Sequence, residues 1–218
     1  AGRYDLMNDV MSLGIHRLWK DAMMDWLAPR NGQRLLDVAG GTGDIAFRFL
    51  KRAPSAQAVV VDLTEDMLIA GQERAESLTY RDSIEWMVGD AMALPFQDGS
   101  FDVYTIVFGI RNVTHIDRVL SEAYRALRFG GRFYCMEFST TDWPGFKQAY
   151  DLYSHKIMPK IGGMIADDED SYRYLAESIR RFPPMPKFET MIRDAGFANT
   201  KVEPILGGAV AIHSGWKI

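Results

Sequence analysis

Three aspartates, Asp37, Asp62 and Asp90, each close or follow a short apolar run, and each stands beside small residues. The first opens Asp37-Val38-Ala39-Gly40-Gly41-Thr42-Gly43, a turn of the kind that leads from a strand into a helix. Glycines there let a ligand lie against bare backbone at the strand's carboxyl end. Gly41-Thr42-Gly43-Asp44-Ile45-Ala46 also fits the dinucleotide pattern G-x-G-x-x-A, with Asp62 nineteen residues after Gly43. An acid ending the second strand holds ribose hydroxyls in a nicotinamide enzyme and in other nucleoside-binding enzymes alike. Charge separates the two. A dinucleotide lays its diphosphate on the first helix's N-terminus, where this chain carries Asp44 close behind Asp37. S-adenosylmethionine presents a sulfonium and an ammonium, which acids at this edge welcome. Gly89-Asp90-Ala91 adds an acid and neighbouring backbone suited to the exocyclic amine and ring nitrogen of adenine. The cofactor is therefore read as S-adenosylmethionine, with Asp37, Gly41, Gly43, Asp62 and Asp90 at its pocket.

Such residues act together only if several strands end at one edge. Leu35-Leu36-Asp37-Val38-Ala39 and Ala58-Val59-Val60-Val61-Asp62 read as buried strands, followed by 84–88, 101–108 and 132–138. Helices are expected over 44–52, after a Thr64 cap, and over about 117–127, the last stopped by Gly130-Gly131. Strands alternating with helices imply a parallel sheet with right-handed crossovers. Segment 4–27 has helical spacing, divided at Gly14, and 140–184 holds two helices with no strand between them. A helix over 186–195 precedes two strands, 200–206 and 209–215, joined by Gly207-Gly208 as a hairpin. The expectation is one α/β domain over 1–218, a mostly parallel seven-stranded sheet with an antiparallel C-terminal hairpin. Residues 1–28 form a helical cap and 140–184 a helical insertion on the substrate side.

Composition removes other classes of function. With 47% hydrophobic and 25% charged residues the 218-residue chain has the mix of an ordinary globular domain. A net charge of −4 argues against a nucleic-acid partner, and no apolar run approaches the ~20 residues of a spanning helix. Cys135 is the only cysteine, so no disulfide framework exists, and no histidine pair has metal-site spacing. The chain opens at Ala1 with no signal-peptide pattern, which leaves room for residues upstream.

The Asp37–Gly43 run, Asp62, Asp90-Ala91 and the terminal hairpin resemble the class I methyltransferases, which have a Rossmann-like fold with a reversed seventh strand. Their usual turn is D-x-G-x-G-x-G, and Ala39 stands here where the first glycine is common. A narrower resemblance spans the chain. Tyr4-Asp5-Leu6-Met7-Asn8, Gly14-Ile15-His16-Arg17-Leu18-Trp19, Phe108-Gly109-Ile110-Arg111-Asn112-Val113-Thr114, Glu137-Phe138-Ser139 and Asp170-Ser171-Tyr172-Arg173-Tyr174-Leu175-Ala176-Glu177-Ser178-Ile179 are similar to the signature of the ubiquinone/menaquinone biosynthesis C-methyltransferases. One departure is Phe129, where a proline is usual. The resemblance implies cofactor contacts at Thr42, Asp62, Asp90, Ala91 and Val107, the last restricted to a backbone or apolar contact. It implies methylation of a ring carbon of a polyprenylated benzoquinol (2-methoxy-6-polyprenyl-1,4-benzoquinol), with demethylmenaquinol as a further substrate. A small-molecule O- or N-methyltransferase, or a non-catalytic scaffold of a quinone-biosynthesis complex, stays open beside it.

Residues just past the fourth strand face the methyl group in such a sheet. A hydroquinone carbon becomes nucleophilic when the neighbouring hydroxyl ionises, so a fixed cation there would favour the phenolate. Arg111 is the catalytic candidate for that role. Its guanidinium is too basic to act as a base itself, and His16, His115, His155 and His213 compete for the proton. Tyr4, Asn8, Asn112, Tyr153 and His155 are the substrate-binding candidates, and the Met- and Tyr-rich 140–184 segment suits a prenyl groove. A lipid-soluble quinol implies peripheral contact with the inner membrane from the bacterial cytoplasm, or from the mitochondrial matrix. Other quinone-biosynthesis proteins and a second copy of the chain are further partners that this reading allows.

Overall fold

The computed structural model describes residues 15–139 and 169–218. Strands β1 (Arg34–Val38), β2 (Gln57–Asp62), β3 (Ile84–Val88), β4 (Phe101–Val107) and β5 (Leu127–Phe138) run parallel. Strand β7 (Val210–Trp216) is antiparallel to β5, and β6 (Ala198–Ile205) is antiparallel to β7. The described residues thus form a seven-stranded sheet in the order β3-β2-β1-β4-β5-β7-β6. Central strands are apolar on both faces: Leu35, Leu36, Val59, Val60 and Val61 are all buried. Edge strand β6 tolerates Pro204, which could not serve an inner strand's ladder.

Alternate side chains along each strand feed two cores. On one face Leu35, Val60 and Val103 pack with α1 (His16–Leu27), α2 (Asp44–Arg52) and α3 (Glu65–Ala75). On the other, Leu36, Val61 and Tyr104 pack with α4 (Ile116–Ala126) and α6 (Met185–Asp194). Burying each such Val or Leu contributes roughly 1.5–3 kcal/mol. Helix α1 lies against α2 through buried Met23, Met24 and Leu27. Ion pairs flank that contact: Lys20–Asp44 at 2.8 Å, Asp21–Arg48 at 2.6 Å and Asp25–Arg52 at 2.8 Å. Helix α5 (Glu169–Arg181) makes up most of the described part, 169–184, of the 140–184 insertion. Tyr4, Asn8, Gly14, Tyr153 and His155 lie outside the described residues.

Two local expectations are corrected and a third holds. Helix α4 ends at Ala126 and passes straight into β5, so Gly130-Gly131 falls inside the strand at a register shift. Its last carbonyls are met from the other end of the chain: Lys217 Nζ donates to the Tyr124 and Leu127 oxygens at 2.8 and 2.7 Å. Thr64 stands at the N-cap of α3 but makes no side-chain cap, and its own N–H donates to Asp62. Gly207 and Gly208 do turn the chain between β6 and β7, both at positive φ.

Strands β1 and β4 are neighbours from which the sheet grows in opposite directions, which makes their carboxyl ends the topological switch point. Both strands leave it through left-handed non-glycine residues, Ala39 (φ 50°) and Phe108 (φ 56°). The two turns touch: a Cβ added to Gly109 would fall 2.5 Å from the Ala39 methyl. Gly109→Ala is therefore expected to destabilise the protein by about 1–3 kcal/mol. Adding Ala39→Gly removes the clash and suits a left-handed turn, so the double variant should recover most of the loss. Denaturant unfolding of the four proteins checks this, and strict additivity of the two changes would refute the contact.

Candidate active site

A cavity of about 470 Å³ opens at the switch point. Asp37, Gly41, Thr42, Asp62, Asp90, Ala91, Val107 and Asn112 all line it, so eight of the expected site residues converge. Gly43 is not in its wall. It starts α2 at φ 77°, and a Cβ there would strike the Trp86 ring at 2.5 Å, so its glycine serves packing.

The acids do different work. Asp62 ends β2 with both oxygens engaged by backbone: Oδ2 accepts from Gly41 N–H and Oδ1 from Thr64 N–H, each at 2.9 Å. It ties the glycine turn to the next loop and keeps further lone pairs for a ligand. Asp90 closes its own turn, Oδ1 accepting from Met92 N–H at 2.8 Å. The Thr42 hydroxyl accepts from Arg74, whose guanidinium lies over the Phe47 ring. Asp44 is no bare charge. It pairs with Lys20 at 2.8 Å and Arg48 at 3.2 Å, and despite its burial these cations hold its carboxyl below the usual range. The repulsion of a diphosphate expected from Asp44 is therefore largely cancelled, and the pocket's acidity rests on Asp37, Asp62 and Asp90.

Asp37 is 1% exposed. Its Oδ1 accepts from the Thr105 hydroxyl at 2.8 Å, and its Oδ2 has no hydrogen-bond partner among the described residues. Burial pushes this carboxyl up to about 7, with Asp44 and Asp62 adding to the rise and Thr105 and Lys20 opposing it. A buried acid with one neutral partner is more stable protonated.

Arg111 departs from expectation. Its side chain is 3% exposed and is not in the cavity wall. Nη1 lies 2.9 Å from Glu137 Oε1 and also donates to the Phe108 carbonyl. Glu137 in turn accepts from the backbone N–H groups of Arg111 and Phe138. A guanidinium matched by a carboxylate at this range presents little net charge to a ring outside it. The placement corrects the reading of Arg111 as a cation facing the substrate: it braces the left-handed Phe108, which lines the cavity. Asn112 does reach the cavity, and its Oδ1 accepts from the Tyr174 hydroxyl of α5 at 3.4 Å.

Sequence reasoning missed Lys20 and Met67, which also line the wall. Lys20 shares the spacing of the buried stripe Met23, Met24 and Leu27, and a lysine on such a stripe is a legible signal. Of the rival bases, His115 is exposed at the start of α4, and His213 is buried in β7, with burial pushing its imidazole down to about 4.

A pH dependence follows from Asp37. The unfolded chain ionises this carboxyl near 3.8 and the folded one at about 7. Its contribution to stability is thus full below pH 3.8 and is lost as pH rises through 7, an effect of about 4 kcal/mol. Asp37→Asn should flatten the ligand-free protein's stability between pH 5 and 8 and raise it at pH 8. Thermal unfolding across that range tests it, and an unchanged slope would mean that Asp37 is ionised throughout.

The fold and the sequence have relatives. A methyltransferase of Aquifex aeolicus described as dependent on S-adenosylmethionine superposes with a TM-score of 0.66 at 13% identity, covering 91% of this chain and 89% of that one. Proteins named ubiquinone/menaquinone biosynthesis C-methyltransferase UbiE are far nearer in sequence. The Dinoroseobacter shibae protein is 63% identical and the Roseobacter denitrificans protein 60% identical, each over all 218 residues of this chain and 87% of its own length. The family model described as the ubiE/COQ5 methyltransferase family matches residues 1–217. With its switch-point cavity, its three acids and that full-length match, the chain belongs to the ubiE/COQ5 methyltransferase family.

Proposed function

We propose that this chain, an S-adenosylmethionine-dependent C-methyltransferase, methylates a ring carbon of 2-methoxy-6-polyprenyl-1,4-benzoquinol, and of demethylmenaquinol where that is made. The observation that carries the reading is that one cavity gathers Asp37, Asp62 and Asp90 around a glycine turn together with Phe108, Gly109 and Asn112 from the end of β4. The family-like stretches 108–114, 137–139 and 170–179 meet beside the end of β4 through the Arg111–Glu137 and Asn112–Tyr174 contacts.

The acid-lined glycine turn fits the cofactor by two features of the chain. Gly40 has no room for a side chain, since a Cβ would lie 2.7 Å from Val60 and 2.8 Å from Asp37 Oδ2, so backbone is left bare. Asp37 Oδ2 has no hydrogen-bond partner among the described residues, and a cationic ligand arriving beside it would favour ionisation of that buried carboxyl. Asp62 takes the ribose hydroxyls, Asp90 and Ala91 the adenine edge, Thr42 and Gly41 the amino-acid end, and Val107 an apolar contact. S-adenosylmethionine bound there supplies a methyl group made electrophilic by its sulfonium.

Beside the end of β4 the chain must orient a ring and favour its ionised hydroxyl. With Oδ1 engaged by Tyr174, the Asn112 NH₂ group has no partner among the described residues and would donate to a ring oxygen. Arg111 acts at one remove, holding Phe108 and hence the wall against which the ring lies. Tyr4, Asn8, Tyr153 and His155 complete the substrate side, with His155 a candidate acceptor for the ring proton. Among the described residues no helix is long and apolar enough to cross a membrane. The prenyl tail itself brings the protein to the membrane surface, on the cytoplasmic face in a bacterium.

Incubating the purified chain with S-adenosylmethionine and a short-prenyl demethylated quinol should give a product whose fragment masses carry the new methyl on ring carbon. A methyl ether would replace this reading with O-methylation, and no transfer despite cofactor binding would favour a scaffold.

The buried pair makes a second, separable prediction. Arg111→Ala leaves Glu137 buried and unpaired, so stability should fall by about 3–5 kcal/mol. Arg111→Met with Glu137→Leu should restore much of that stability while kcat stays low, because Phe108 has lost its brace. If Arg111 instead stabilises the phenolate directly, the rate of Arg111→Ala recovers at pH 9–10, where the quinol ionises unaided. Unfolding curves together with a pH–rate profile distinguish the two.

A further inference from the structure

We propose that Lys20 binds the carboxylate of the cofactor's amino-acid end, so that the cavity reads both charges of that end and selects for an intact methionine moiety. The inference rests on the S-adenosylmethionine reading above. The cofactor carries two cationic groups, the sulfonium and the ammonium, and one anionic group, the carboxylate. Titratable side chains in the described cavity wall offer partners for both signs: Asp37, Asp44, Asp62 and Asp90 are acids, and Lys20 is the one basic residue. Asp62 ends β2 and Asp90 follows β3, on the side assigned to ribose and adenine. Lys20 stands with Asp37 and Asp44 by the glycine turn, on the side left for the amino acid.

The lysine is held in place and has bonding capacity to spare. Its side chain is 12% exposed, and Nζ lies 2.8 Å from Asp44 Oδ2. An ammonium has three protons to donate, and Asp44 takes one. Asp44 does not depend on Lys20 alone, because Arg48 Nε donates to its other oxygen at 3.2 Å. Helix α1 is fixed by buried Met23, Met24 and Leu27 and by the Asp21–Arg48 and Asp25–Arg52 pairs. Lys20 is thus presented at the cavity by packed structure, and a carboxylate arriving there meets an ammonium that lines the wall, shares Asp44 with Arg48 and has further protons to donate. Charge-assisted bonds in such surroundings are about twice as strong as neutral ones.

The test compares ligands that differ by the carboxylate alone. Calorimetric titration of the full chain would use S-adenosylmethionine and its decarboxylated analogue, with wild type, Lys20→Gln and Lys20→Arg. Wild type should bind the intact cofactor about tenfold to a hundredfold more tightly than the analogue. Lys20→Gln should erase that preference by weakening the intact cofactor only, and Lys20→Arg should keep most of it. Equal weakening of both ligands would mean that Lys20 acts only through Asp44, and the proposal fails. It fails too if wild type does not prefer the carboxylate, a comparison that stands even if Lys20→Gln does not fold. Absence of binding by either ligand to the folded wild type would instead sink the cofactor reading itself.

Discussion

The close approach of two turns at the ends of β1 and β4 is the constraint from which the rest follows. Adjacent parallel strands must part there so that one connection rises to each face of the sheet, and the gap between them becomes the cavity. Both turns bend through left-handed, non-glycine residues, each costing about 1–2 kcal/mol relative to glycine. Gly109 has no room for a side chain because the Ala39 methyl already occupies that space. Gly40, Gly41 and Gly109 bring main chain without side chains to the cavity wall beside those turns. The Phe108 turn is held from behind by its own N–H on the Met136 carbonyl and by Arg111 on its carbonyl.

Electrostatics adds a second layer to that geometry. Several carboxylates gathered at one strand edge would repel one another if each were bare. The structure avoids this by giving each acid a different neighbourhood. Asp62 is met by two backbone N–H groups, Asp44 by two cations, and Asp37 by burial that favours its neutral form. What remains for a ligand is a graded field, not a uniform negative patch. A nucleoside with a cationic end and a carboxylate fits that gradient better than a diphosphate does, although Asp44 itself is neutralised.

Much of this was legible in the sequence because it depends on local pattern. Val59-Val60-Val61 can only be a strand buried on both faces, and the Asp37–Gly43 turn, Asp62 and Asp90 follow from strands that end in acids. The parallel order with a terminal hairpin follows from alternation and from Gly207-Gly208. What escaped depends on residues far apart in the chain. Lys217 caps the end of α4 from some ninety positions away, so the glycines nearby drew the helix stop instead. Asp44 read as a bare charge because Lys20 belongs to a helix whose docking no local pattern reveals. Gly43 read as a ligand position, although the Trp86 ring is what forbids a side chain there.

Arg111 shows the same limit in its sharpest form, and it bears on how signature residues should be interpreted. An arginine one position from a cavity residue, on a turn at the reaction edge, invites a catalytic role, and the sequence contains nothing to oppose it. The opposing fact is Glu137, twenty-six residues on, which turns the guanidinium inward and takes its charge. Two family-like stretches that look like two sets of functional residues are thereby one device: a buried ion pair whose cation also grips the Phe108 carbonyl. Ion pairs of this kind contribute little net stability over apolar residues of similar size, since desolvation offsets the attraction. What such a pair supplies is direction, because a planar guanidinium fixed by a carboxylate can hold a carbonyl in one orientation only. Here that carbonyl belongs to a left-handed phenylalanine in the cavity wall, so the pair fixes the turn at the end of β4.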